Sequence, residues 1–97
     1  MPDVLMLMHS DTTGPESDAA WEAYLTMLRR VGAFAGGSAI GGGTTMRRSG
    51  SAAPVSAVLT GFIRVSAADL DAAKRLVEGN PVYEAGGTVE IRDLPED

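Results

Sequence analysis

"DVLMLMHSD", residues 3–11, is the stretch whose reading decides the fold. Val4, Met6 and Met8 alternate with Leu5, Leu7 and His9, so an extended chain here carries apolar side chains on both faces until His9. A strand of that kind belongs in the interior of a sheet with both sides covered. The rest of the chain has to supply the covers.

Downstream, "DTTGPESDAAWEAYLTMLRRVGAF" reads as a helix, with Trp21, Tyr24, Leu25, Leu28 and Val31 at the three-and-four spacing of one stripe. Two N-terminal caps are open to it: Thr13 with Glu16 as a capping box, or Ser17. Gly32 suits its end, because the residue after a helix often takes positive φ. "GGSAIGGGTTMRR" then reads as a second strand, "SGSAAP" as a flexible connection and "VSAVLTGFIRV" as a third strand. That third strand is again apolar on both faces, Leu59, Ile63 and Val65 against Val58 and Phe62. Ser66 is expected to cap a second helix, "AADLDAAKRLVEG", with Asp69 at its third helical position and Gly79 and Pro81 as stops. Leu70, Ala73, Leu76 and Val77 form its buried stripe. "GNPVYEAGG" reads as a turn-rich connector, "TVEIRDL" as a last strand alternating Val89 and Ile91 with Glu90 and Arg92, and the tail "PED" as frayed.

The order is β-α-β-β-α-β over one domain, residues 1–97, with neither repeat nor linker. It predicts an α+β ferredoxin-like fold: a four-stranded antiparallel sheet with two helices on one face. Two helices cover one face only, yet the first and third strands, central in this topology, are apolar on both. A homodimer that stacks two uncovered faces about 10 Å apart would supply the missing layer.

Composition narrows the function. The 97 residues are 44% hydrophobic, enough for a core, and hold no cysteine, which excludes disulfides, thiolate metal sites and thiol nucleophiles. That absence fits a cytoplasmic setting. The net charge of −5 leaves no basic footprint for nucleic acid, since Arg29–Arg30 and Arg47–Arg48 are isolated pairs. The apolar run Val4–Met8 falls far short of the roughly 20 residues a bilayer span needs, and no signal peptide is expected.

Along most of its length the chain resembles the YCII-related (DGPF-domain) family of small bacterial proteins. The residues that carry the resemblance are "LMLMH", "WEAYLTMLRRVGAFAGGSAI", "GFIRVSAADLDAAKRLVEGNP" and "GGTVEIRDLP", in that order. It implies a ferredoxin-like sheet assembled as a dimeric α/β barrel. Two departures stand out. Where the family has Asp-Gly-Pro-Phe, between the second and third strands, this chain has "SGSAAPVSAVLTGF". Some relatives also pair an aspartate after the first strand with a histidine in the first helix; Asp11 matches the former, and the first helix has no histidine.

The candidate site residues follow. His9, the only histidine, has Asp11 two residues on. In an extended chain they share a face, and Asp11 could orient His9 as a general base, because an unperturbed imidazole titrates near 6.5. The alternative is a strand-end histidine bonded to backbone, with Asp11 capping the next turn. No metal site is expected, since one histidine without cysteine would need carboxylate partners that only folding could assemble, and no cofactor is expected. Glu90, Arg92 and Arg64 are expected on the sheet face away from the helices, where they could hold an anionic or polar group of a small organic ligand, or simply be solvated. Trp21 and Tyr24 read as core packing.

The glycine run "GGSAIGGG", residues 36–43, has the first spacing of a phosphate loop, but Gly42 and Gly43 stand where Lys and Ser/Thr are needed. It also follows a helix and enters a strand, the reverse of a phosphate loop or dinucleotide fingerprint. Ser38 is no nucleophile elbow, because Ile40 occupies the required glycine position. The run instead predicts a helix exit at Gly36–Gly37, then a second strand whose Gly41–Gly43 permits a bulge or a close backbone approach, with Ser38 near a ligand at the barrel rim. Two functions follow: a small dimeric enzyme with His9 as proton acceptor, or a non-catalytic ligand-binding or assembly module.

Overall fold

The computed structural model describes residues 2–96. Its elements are β1 (Asp3–His9), α1 (Asp18–Arg30), β2 (Phe34–Ala39), β3 (Leu59–Ser66), α2 (Leu70–Val77), α3 (Pro81–Glu84) and β4 (Val89–Leu94). The four strands form one antiparallel sheet in the order β2-β3-β1-β4. This is broadly the ferredoxin-like α+β arrangement, with β1 and β3 central.

Pleating sorts β1 as its alternation requires. Val4, Met6 and Met8 are buried under the helices with Ile63 and Val65 of β3, while Tyr24 and Leu28 of α1 and Ala73 and Val77 of α2 close the core from above. Leu5, Leu7 and Phe62 point the other way and are only half-buried, because no layer covers that face within the chain.

Local signals set most helix ends. Ser17 is the α1 cap, accepting from the Ala20 N–H, so the Thr13–Glu16 alternative is not used. Gly32 follows at φ 75°, a conformation that costs glycine little. The cap of α2 is Asp69, which accepts from Ala72 N–H; Ser66 ends β3 instead, with its hydroxyl on Asp3. Serine and aspartate are comparable caps, and strand pairing of Ser66 with Asp3 decides between them.

Three expectations are corrected. The connector "GNPVYEAGG" contains a short third helix: Asn80 accepts from the N–H groups of Val82 and Tyr83, and Pro81 sits at the first turn, where its missing N–H costs nothing. The helix exits at Gly32 rather than Gly36–Gly37, and these two glycines lie inside β2, where the pairing slips between Phe34 and Gly37. Residues 40–58 carry no strand, so Gly41–Gly43 lie beyond β2, and Thr45 Oγ1–Ala53 O and Arg47 Nη1–Ser51 O are the side-chain bonds that tie this arm together. Val31 (59% exposed) and Leu70 (41% exposed) also leave their stripes, each at the end of its helix. Of the tail, Asp97 lies outside the described residues.

Candidate functional site

Polar chemistry collects on the two sides of the sheet in different forms. On the open face the register sets Leu5 between Arg64 and Arg92, and Leu7 between Phe62 and Glu90. His9 ends β1 beside Glu90, and its Nε2 lies 2.9 Å from Glu90 Oε1. The other Glu90 oxygen accepts from Arg92 Nη1 at 3.2 Å. His9 first, and then Arg92, hold the Glu90 carboxyl below its ordinary range by favouring its charged form. At the other end of the face Arg64 Nε donates to Asp3, and that bond lowers the Asp3 pKa.

Asp11 is elsewhere. The strand stops at His9, and the Asp11 carboxylate turns to accept from Thr88 Oγ1 at 2.6 Å and from Thr88 N–H at 2.8 Å, which lowers its pKa. It thereby fastens the β1–α1 loop to the start of β4. The carboxylate that meets His9 is Glu90, distant in sequence and brought there by the β1–β4 ladder.

On the helix side a cleft of about 440 Å³ opens between α1 and the β2–β3 edge. Met8, Trp21, Leu25, Arg29, Phe34 and Gly61 are among its lining, with Ser38 at its rim. The small residues of the strands leave it unfilled. A Cβ at Gly37 would lie 2.7 Å from the Phe62 carbonyl oxygen, so the close approach of β2 to β3 demands glycine there. Trp21 packs half-buried against the core, as read, and also walls this cleft; its Nε1 donates to Glu16 and its ring meets Tyr24 edge-on at 6.2 Å. Tyr24 is core, its hydroxyl on the Leu76 carbonyl at 2.6 Å, and burial pushes its pKa up to about 12. The Asn80 side chain, fully buried, offsets part of that rise.

The sheet therefore separates the candidates. His9, Arg64, Glu90 and Arg92 share the open face, Ser38 stands at the edge of the cleft with its hydroxyl donating to the Ala39 carbonyl, and Asp11 joins neither group. The sequence reading missed Arg29 and Phe34. A signal existed: Trp21, Leu25 and Arg29 recur every four residues, so they share one line along α1 beside the core stripe. Among the described residues no group of three His, Cys, Asp or Glu could hold a metal ion, and no helix is long and apolar enough to cross a membrane.

A search of curated proteins finds no match to the chain. The profile of the YCII-related domain, by contrast, matches residues 2–96, nearly the full length and every element described above. The chain belongs to the YCII-related family.

Proposed function

We propose that the chain works as a cytoplasmic homodimer, a dimeric α/β barrel, that binds a small organic ligand in the cleft between α1 and the β2–β3 edge. The cleft carries this proposal: it is apolar, walled by two aromatic rings and edged by a few polar groups, the usual make-up of a small-molecule site. The half-buried Leu5, Leu7 and Phe62 support the dimer, since they form a central apolar patch ringed by charges on a face with no cover of its own.

Binding without chemistry is the favoured form, because the ionisable side chains lining the cleft are Glu16 and Arg29 and no histidine is among them. A second reading, acid–base catalysis at the dimer face, draws on one observation, the 2.9 Å contact of His9 with Glu90. There His9 would accept a proton, Glu90 would orient it, and Arg64 or Arg92 would hold an anionic group.

Sedimentation at micromolar concentration tests the assembly, and a monomer would end the dimer proposal. A thermal-shift screen against small metabolites tests the cleft. Stabilisation that survives His9→Gln supports binding in the cleft; ligand turnover lost in His9→Gln would transfer the function to the open face.

A further inference from the structure

We infer that the cleft selects a flat, ring-containing carboxylate, with Arg29 as its anion-binding group; this rests on the cleft being a ligand site. Shape points to the ring. The floor is made by Gly37, Ala39 and Gly61, which carry at most a methyl group, so a slot runs under α1 instead of a filled core. Gly61 has little freedom to change, because a Cβ there would stand 3.2 Å from the Ser38 carbonyl oxygen and 3.3 Å from Met8 Cε. Trp21 forms one wall, held by Glu16 on its ring nitrogen and by Tyr24 against its edge. Phe34 forms the other end. Fixed aromatic walls over a floor without side chains suit a planar body better than a branched one.

Charge points to the carboxylate. Arg29 lies two helical turns from Trp21, about 12 Å along α1. Its guanidinium carbon stands 4.8 Å from the centre of the Phe34 ring. That cation–π contact takes up none of the guanidinium N–H groups, and among the described residues they have no other acceptor, so their fork can meet a carboxylate. Among the described residues no acidic group lies within ion-pair distance of Arg29, although Arg64, Arg92 and Lys74 each have one.

The surroundings agree. Between Glu22 and Asp69 the chain has five arginines and no acidic residue, and this stretch supplies the cleft lining from Leu25 to Ile63. Of those five arginines, Arg29 alone is among the residues that line the cleft. Glu16 is the acidic exception, at the far end and bonded to Trp21. Helix-dipole complementation by itself does not account for Arg29, because Arg30 serves the same last turn yet lies on the outer surface beside Thr26 and Met27.

The test compares 2-naphthoate with the uncharged 2-naphthamide by titration calorimetry at low salt. The native protein is expected to bind the carboxylate at least about tenfold more tightly. Arg29→Gln, an exposed change, should abolish that preference while leaving the amide within about twofold. Ala39→Leu, an exposed position that fills the floor without the backbone contact a Gly61 side chain would meet, should weaken both. Equal affinity for the two compounds in the native protein, or a preference that survives Arg29→Gln, would overturn the anion assignment and leave the ligand cleft standing. Failure of both compounds and of the metabolite screen to bind would bring down the cleft proposal itself and this inference with it.

Discussion

The two faces of the sheet are built from the same strands and differ in what happens to an apolar residue. On the helix side Val4, Met6 and Val65 are at most 1% exposed, sealed by α1 and α2. One residue away Leu5, Leu7 and Arg64 face outward, half-buried or exposed, with the Arg64–Asp3 ion pair at one end of the row and the His9–Glu90 contact at the other. Alternation alone produces both faces, but only one receives a cover from its own chain. The helix side gains stability within the monomer; the open side leaves the same kind of surface uncovered, where the proposed dimer would close.

The comparison breaks most directly where burial is deepest. Leu28→Ala, at a fully buried site of α1, is expected to cost about 2–5 kcal/mol in urea unfolding. A cost below that range would mean that the helix layer is not the main seat of stability. For the proposed dimer, Leu7→Asp on the open face should instead cost at least about 2 kcal/mol in association, seen as monomer in sedimentation, with little loss of the monomer's fold. Loss of the fold itself by circular dichroism would make the two faces equivalent.

Titration sharpens the contrast, because the faces carry groups displaced in opposite directions. Tyr24 on the helix side is raised from 10.0 to about 12 by burial. Raised folded-state pKa values of this kind favour the unfolded chain once the group ionises there, so the fold loses stability as pH climbs from 10 towards about 12. Alkaline unfolding in that window should flatten in Tyr24→Phe. Asp3 and Glu90 on the open face are lowered, so their contributions are complete above their ordinary values of 3.8 and 4.5 and fade as pH falls below them. This acid effect should be the smallest of the four, since the groups are solvated, and salt should reduce it further. Thermal melts from pH 7 to 3, compared with Glu90→Gln, would measure it; an undiminished acid loss in that variant would remove the His9–Glu90–Arg92 row from the account.

Much of the fold is legible in the residues. Strong periodicity places β1, α1, β3, α2 and β4, because each buries a stripe whose spacing the backbone dictates. The differences fall where local chemistry is ambiguous. Gly36 and Gly37 resemble a helix exit, yet Gly32 stops the helix first and pairing with β3 draws the two glycines into a strand. Asn80 gives no clear helix signal, because a capping asparagine and a turn asparagine look alike until Pro81 and Val82 are buried in the core. Of the candidate site, Glu90, Arg92 and Arg64 can be assigned to the open face from alternation. The partner of His9 cannot, because it depends on how β1 and β4 align.

The sequence by itself determined the order of elements, the two-sided character of β1 and β3, and the absence of thiol chemistry, all properties of residue type and short-range spacing. Tertiary structure alone decided that His9 meets Glu90 while Asp11 goes to Thr88, and that Trp21, Arg29 and Phe34 converge on one cleft. Those outcomes depend on strand register and on how far α1 stands from the glycine-lined edge. Both are fixed by packing between residues far apart in the chain, which no local pattern records.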